Sequence, residues 1–177
     1  MKDRTSLVID ASVARAAGGE GAQHPTSMHC RDFLKAVLRI CNHLVLTSAS
    51  RTEWKNHRSR FARQWHISMV AHRKVPAVDD GADTNLQDKI LQTAPSDADR
   101  AAMAKDLHLL HAALQTDRIV VSLDETALAL FAQASTTVGE IRDVIWINPA
   151  ETTEGVIKWL EAGTPAEEPR KLRARAR

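Results

Sequence analysis

Short, unbroken apolar runs alternate along the chain with longer stretches whose hydrophobic residues recur every three or four positions. Unbroken runs of this length predict buried strands, and the three- to four-residue spacing predicts amphipathic helices. Strands are predicted at residues 6–9, 43–47, 119–122 and 143–147. Helices are predicted at residues 28–42, 48–74, 85–92, 96–114, 126–134 and 152–162. Asp106 either continues the fourth of these helices or opens a new one after a break near Ala104, and both alternatives stay open.

The order of these elements favours a single α/β domain. Strands that alternate with helices form a parallel sheet covered by helices on both faces. We therefore predict a three-layer fold with a central parallel sheet of four or five strands. The domain covers residues 1–162 and includes an acidic excursion at residues 76–99. From residue 163 the chain is rich in Pro, Glu and Arg, so residues 163–177 are predicted to be a disordered basic tail.

Charged residues are distributed in blocks, although the net charge is only +2. Residues 51–74 contain seven Lys or Arg and one Glu, residues 79–99 contain six Asp and one Lys, and residues 170–177 contain five Lys or Arg and no acid. Such blocks suit a polyanionic partner such as RNA, and a solvated helix face with a disordered tail explains them equally well. The residues expected to contact RNA phosphates are Arg51, Lys55, Arg58, Arg60 and Arg63.

Composition excludes several other classes of protein. Aromatic residues make up 4% of the chain and Tyr is absent, which argues against a surface that stacks bases on aromatic rings. Cys30 and Cys41 match no zinc-ligand spacing and form no disulfide framework, so a reducing, cytoplasmic location is expected. No stretch is long and apolar enough to suggest a signal peptide or a membrane span, so no membrane partner is expected.

Four acidic residues are placed near the predicted ends of strands. Asp10, Glu53 and Asp124 each follow a strand, and Asp106 lies on the helix that leads into the third strand. Because the carboxyl ends of parallel strands meet at one edge of a sheet, these carboxylates are expected to converge there. Two of the acids also have simpler explanations, since Asp10 suits a helix N-cap and Glu53 suits the first turn of a helix.

A convergence of carboxylates predicts a metal site. Carboxylates that lie close together repel one another unless a divalent cation neutralises them. Oxygen ligands favour Mg²⁺ or Mn²⁺ over zinc. Such ions lower the pKa of a bound water and stabilise a leaving oxygen, which is the chemistry of phosphodiester hydrolysis.

The residues of this predicted site resemble those of the PIN-domain nucleases. The similarity extends from Leu7 to Ile147 and is carried by four short motifs in a fixed order. These are LVIDASV with Asp10 and Ser12, LVLTSAS followed by Glu53, the helix of Asp106 with the Ala pair at 112–113, and VVSLD with Ser122 and Asp124. One departure is Glu125, which stands where many members of the family carry a basic or small residue.

The resemblance implies a metal-dependent endoribonuclease. It implies that Mg²⁺ or Mn²⁺ is the cofactor, that RNA is the substrate, and that the chain forms a homodimer. Many PIN domains are toxins inhibited by a cognate antitoxin, so an antitoxin or another protein inhibitor is a further expected partner. The catalytic metal ligands implied are Asp10, Glu53, Asp106 and Asp124, with Ser12 and Ser122 as accessory hydroxyls.

Two alternatives stay open at this point. The first is a catalytically weak PIN-like domain that works as an RNA-binding or assembly module. The second is a flavodoxin-like α/β domain whose acids are scattered over the surface and bind no metal. The excursion and the basic tail also exceed what a minimal toxin needs.

Overall fold

The computed structural model describes residues 4–79 and 81–176. Within them, four strands form one sheet in which all neighbours are parallel, in the order β2-β1-β3-β4. The strands are β1 (Ser6–Ile9), β2 (His43–Val45), β3 (Ile119–Val121) and β4 (Ile145–Ile147). The prediction of an α/β fold around a central parallel sheet is confirmed, with four strands in the described residues.

Helices connect the strands and cover the sheet. The first four are α1 (Ala11–Ala16), α2 (Pro25–Ile40), α3 (Ser48–His57) and α4 (Arg60–Ala71). The others are α5 (Thr84–Leu91), α6 (Asp97–Leu114), α7 (Glu125–Ala134), α8 (Val156–Glu161) and α9 (Leu172–Arg175). In the part of the chain that the structure describes, no helix combines the length and the apolar character needed to cross a membrane.

Alternate side chains of the strands enter two separate hydrophobic cores. Leu7 and Ile9 of β1 lie in one core with residues of α1, α2, α3, α4 and α8. Val8, between them, lies in the other core with residues of α6, α7 and α9. This division follows from the two-residue period of a strand, which points successive side chains to opposite faces of the sheet. The result is three layers, with the sheet in the middle.

The predicted basic helix at residues 48–74 is in fact two helices. The first, α3, ends at His57, and the second, α4, begins at Arg60. Between them, the hydroxyl of Ser59 accepts a hydrogen bond from the Ala62 backbone N–H at 3.2 Å. Ser favours a helix N-cap over a helix interior because its side chain competes for backbone hydrogen bonds. The prediction of one continuous helix was therefore wrong at this serine.

The helix that contains Asp106 runs without a break. Ser96 caps α6 by accepting a hydrogen bond from the Asp99 backbone N–H at 3.1 Å, and the helix continues to Leu114. Of the two alternatives left open by the sequence, the unbroken helix is the one that is observed. Asp106 consequently lies in the middle of a helix and does not open one.

The C-terminal segment differs from the predicted disordered tail, because residues 163–176 fold against the sheet. Leu172 is fully buried in the second core, and its backbone N–H donates to the Val144 carbonyl at 2.9 Å. The basic residues of the segment form ion pairs with acidic residues of the domain, which reduces the repulsion between their positive charges. The ion pairs include Arg170–Glu154 at 3.3 Å, Arg175–Glu154 at 2.9 Å and Arg173–Asp143 at 2.9 Å.

We expect Leu172→Ala to lower the free energy of unfolding by about 2 to 4 kcal/mol, because it removes a fully buried side chain and leaves a cavity. Urea denaturation measures this change. Ala174→Ser, at an exposed position of the same short helix, is the matched control and should change stability by less than about 0.5 kcal/mol. Equal stability of Leu172→Ala and the control would mean that the segment does not fold against the domain in solution.

Candidate active site

Asp10 lies at the carboxyl end of β1, where pairing with β3 brings it beside Ser122. Ile9 is opposite Val121 in the sheet, and the Asp10 backbone N–H donates to the Val121 carbonyl at 2.9 Å. The Ser122 hydroxyl donates to Asp10 Oδ2 at 2.9 Å, and the Ser12 hydroxyl donates to the same oxygen. Ser12 and Ser122, which are 110 residues apart in the sequence, therefore donate to the same oxygen of Asp10.

The surroundings of Asp10 also test its explanation as a helix N-cap. The residue does stand at the N-cap position of α1, but its side chain makes no capping hydrogen bond. Two serine hydroxyls orient the carboxylate, and it does not cap the helix. Helix capping therefore does not explain why this residue is an aspartate.

Asp124 is linked to Asp10 through the same serines. Its backbone N–H donates to the Ser122 hydroxyl at 3.1 Å, and the neighbouring Leu123 N–H donates to the Ser12 hydroxyl at 3.1 Å. Asp124 Oδ1 accepts from the Ala127 N–H at 2.8 Å and so caps α7. Asp124 therefore has a structural role as a helix cap in addition to its place in this network.

Asp106 approaches the same edge of the sheet from α6. Burial, and after it the negative charge of Asp10, raises the pKa of its carboxyl to about 6. Asp124 and Glu53 act in the same direction, whereas Lys105 opposes them. Asp106 therefore shares one electrostatic environment with the other three predicted acids, and we call these four residues the acid cluster.

Glu53 occupies a different position in its helix from the predicted one. Thr47 caps α3, which begins at Ser48, so Glu53 lies in the second turn and the explanation as a first-turn acid is wrong. Glu53 Oε2 lies 3.8 Å from His108 Nε2. Because that distance is longer than a hydrogen bond, the two groups face each other without being directly bonded.

His108 is a part of this site that the sequence analysis missed. Its Nδ1 lies 3.1 Å from the Ser50 hydroxyl and 3.3 Å from the Thr47 hydroxyl. Burial lowers the pKa of His108, against the opposite effects of Glu53 and Asp10, so the imidazole is neutral at neutral pH. Hydroxyl donors at Nδ1 favour the tautomer that carries the proton on Nε2, facing Glu53. The available signal was a histidine within the apolar run LHLLH, two residues after Asp106.

The side chains of the acid cluster are of the type that binds a hard cation, but they are not yet close enough together to coordinate one. In the described residues, no three His, Cys, Asp or Glu side chains are arranged so that they could hold a metal ion as they stand. Carboxylates and hydroxyls are the ligands that Mg²⁺ and Mn²⁺ prefer. Within the described ranges, none of the ion pairs joins a Lys or Arg to Asp10, Asp106 or Asp124. The donor set thus fits such an ion, and binding it would require the side chains to close in.

The predicted RNA-contacting residues are divided between two surroundings. Four of them are exposed on α3 and α4, namely Arg51, Lys55, Arg60 and Arg63. Arg58 differs, because its guanidinium lies 2.7 Å from His66 Nδ1 and is only partly exposed. Arg60 and Arg63 line a cavity of about 940 Å³ between α2 and α4, and none of the acid cluster lines it.

The chain matches no protein-family model, no curated protein and no solved structure. Membership of the PIN-domain family therefore stays a prediction.

We expect Asp106→Asn to stabilise the metal-free protein at pH 7.5 and to have little effect at pH 4. The pKa of Asp106 is about 6 in the folded protein, against 3.8 ordinarily, so the folded state binds more protons between these values. Stability is then lost as pH rises from about 4 to about 6, and an amide avoids that loss. At about 1.4 kcal/mol per pKa unit the shift corresponds to about 3 kcal/mol. Because the side chain is partly exposed and solvent screens its charge, we expect a gain of about 1 to 2 kcal/mol at pH 7.5.

Urea denaturation in EDTA at both pH values measures this difference. Asp88→Asn, at an exposed position of α5, is the matched control and should behave like the wild type at both. A loss of stability in Asp106→Asn at pH 7.5 would mean that the carboxylate has a favourable structural partner.

Proposed function

We propose that this chain is a metal-dependent endoribonuclease of the PIN-domain type. The observation that carries the proposal is the convergence of four carboxylates, from four separate segments, at the carboxyl edge of one parallel sheet. Ligand sites of open α/β folds lie at this edge. An acid whose pKa is raised by burial and by neighbouring carboxylates, as that of Asp106 is, is typical of a functional site, because such an arrangement reduces the stability of the fold.

Mg²⁺ or Mn²⁺ is the cofactor that we propose. Asp10, Glu53, Asp106 and Asp124 would hold it, and the oxygen-only donor set supports this choice. When bound, the ion supplies a water of lowered pKa and neutralises charge on the phosphate.

Polar side chains around these carboxylates help to orient the site. Ser12 and Ser122 both donate to Asp10 Oδ2, which fixes the orientation of that carboxylate. His108 presents Nε2 to Glu53 while the Ser50 and Thr47 hydroxyls fix its ring. These hydroxyl and neutral imidazole groups add no positive charge, and in the described residues no ion pair joins a Lys or Arg to Asp10, Asp106 or Asp124. These three carboxylates are therefore available to a cation.

RNA is the proposed substrate, and its phosphates are expected to meet the exposed basic face of α3 and α4. Arg51, Lys55, Arg60 and Arg63 supply that face. Arg170, Arg173 and Arg175 are excluded from the proposal, because ion pairs with Glu154, Asp143 and Glu168 already neutralise them.

The alternative function is an RNA-binding or assembly module without catalysis. One specific observation favours it, namely that no three potential ligands in the described residues already surround a metal position. RNA binding without cleavage, in the presence of Mg²⁺ or Mn²⁺, would support this alternative.

A protein partner is also part of the proposal, either an antitoxin-like inhibitor or a second copy in a homodimer. Large apolar side chains are exposed at Met28, Ile67 and Val70, by 40%, 52% and 56% respectively. Ile67 and Val70 both lie on α4, and exposed apolar groups that lie close together are typical of protein interfaces.

Cleavage of a labelled tRNA pool tests the nuclease directly. We expect discrete cuts with Mg²⁺ or Mn²⁺, none with EDTA, and a loss of more than about 100-fold in Asp10→Asn and Asp106→Asn. Even partners outside a metal's ligand shell are worth about 10- to 100-fold, so a lost ligand should cost more. Asp88→Asn is the control and should cut like the wild type. Cutting in EDTA, or by Asp106→Asn, would refute the proposed mechanism.

The salt dependence of RNA binding tests the basic face. Each contact with a phosphate of a single strand contributes about 0.7 to the slope of log K against log salt concentration. The double variant Arg60→Gln/Arg63→Gln should therefore reduce the slope by about 1.4. Arg173→Gln, which removes an ion-paired arginine, should leave the slope unchanged. Equal slopes for the double variant and the wild type would remove α4 from the RNA-binding surface.

A further inference from the structure

A cavity of about 420 Å³ opens beside the acid cluster, between the start of α3, α5 and α6. We call it the α5–α6 cavity. Many of its lining residues are small or aliphatic, namely Ala49, Ala82, Leu91, Ala104 and Leu107. The volume falls within the roughly 300–1,000 Å³ of small-molecule sites. It accommodates one flat ring system and its sugar, whereas a nucleic-acid duplex is too wide to enter.

The cavity and the acid cluster share a wall. His108 lines the cavity, and its Nε2 lies 3.8 Å from Glu53 Oε2. This Nε2 is buried and has no hydrogen-bond partner within the described residues. Thr47, which contacts His108 Nδ1, lines the cavity as well. None of the acid cluster is among the residues that line the cavity, so a molecule that fills it would be separated from Glu53 by the His108 ring.

Polar groups around the cavity are suited to a nucleotide. Lys105 lines it and also lowers the pKa of Asp106, so an ammonium group lies near both. Gln87 lines it, and in the described ranges its side-chain amide makes no hydrogen bond. His111 lines it too, and its Nε2 is held by Gln115 at 2.7 Å. These groups offer a cation for a phosphate and an amide donor and acceptor for the edge of a base.

We propose that the α5–α6 cavity is a subsite for the base of one unpaired nucleotide next to the phosphate that is cut. The proposal rests on the proposed function, because the acid cluster fixes where that phosphate lies. The small apolar side chains provide room for the ring, Gln87 contacts its edge, and Lys105 meets the adjoining phosphate. Because a base must leave its helix to enter such a cavity, the subsite selects single-stranded regions of RNA.

The charge of the excursion supports a base as the occupant, rather than the phosphate backbone. Ala82, Gln87 and Leu91 all belong to the excursion at residues 76–99, which is strongly acidic. An acidic segment repels phosphates, so any favourable contact that it makes with RNA has to be with an uncharged base. The proposal thereby gives a role in specificity to a segment that the PIN-domain resemblance leaves unexplained.

Filling the cavity tests the proposal on cleavage. Ala104→Trp places a large ring in the cavity, and Ala101→Trp places the same ring on an exposed part of α6 that lines no described cavity. On a randomised single-stranded RNA, wild type and Ala101→Trp should prefer one base at one position beside the cut. Ala104→Trp should lose that preference and cut the preferred sequence at least about tenfold more slowly, the cost of one lost base contact.

The contact with the edge of the base is tested separately. Gln87→Ala should relax the choice of base at that position while the cut remains metal-dependent. Asn85→Ala, at an exposed position of the same helix, should keep the wild-type choice. Thermal unfolding of all four variants establishes that each is folded before it is compared.

Binding without cleavage separates this proposal from the proposed nuclease. AMP, GMP, CMP and UMP are titrated in EDTA while NMR follows the His108 ring and the Gln87 side-chain amide. One nucleotide should shift both signals, ribose 5-phosphate should not, and Ala104→Trp should abolish the shift. Shifts in a protein that cuts no RNA would support the subsite and refute the nuclease. Cleavage that shows no preference for any base, both in the wild type and in Ala104→Trp, would refute the subsite and support the nuclease. The same conclusion would follow if ribose 5-phosphate shifted the NMR signals as much as the nucleotides do in a protein that cuts RNA.

Discussion

The parallel pairing of β1 with β3 is the interaction on which the candidate site depends. It sets Ile9 opposite Val121, so the residues that follow these two strands leave the sheet side by side. Asp10 and Ser122 then meet, although more than a hundred residues separate them in the chain. The neighbouring strand extends the same edge, since the Ser122 backbone N–H donates to the Ile147 carbonyl at 3.0 Å. The acids brought by α3, α6 and the start of α7 are assembled around this one pair.

Two buried acidic environments in this protein show how a structural carboxylate differs from a candidate functional one. Burial raises the pKa of Glu154, but Arg170 and Arg175 both lie close to it and oppose that shift. Asp106 is partly buried, and the three acids Asp10, Asp124 and Glu53 act on it electrostatically. Together with burial they raise its pKa to about 6. The first arrangement is explained by the stability of the C-terminal segment. The second reduces stability, and this cost is the reason that we propose a cation for the acid cluster.

The sequence was sufficient for the features that depend on local patterns. Apolar runs predicted the four strands to within two residues, and the alternation with helices predicted the parallel sheet. It failed where a long-range partner decides the outcome. The basic C-terminal segment looked disordered because Glu154, Asp143 and the space for Leu172 are not visible in its own composition. His108 was missed because its significance comes from Thr47 and Ser50, about sixty residues earlier, and only the fold brings them together.

The length of α6 connects the acid cluster with the cavity beside it. From Asp97 to Asp106 the helix advances about 14 Å at 1.5 Å per residue, so it starts well before the residue that it contributes to the cluster. This extra length carries Ala104 and Lys105, and α5 packs along the helix. In open α/β folds, ligands bind in the crevice outside the carboxyl ends of the strands. The excursion and the long helix together line the α5–α6 cavity. In the proposed function, an RNA strand that crosses the acid cluster would meet the basic residues of α3 and α4 and also the partly apolar α5–α6 cavity. Such asymmetry suits a strand of defined polarity.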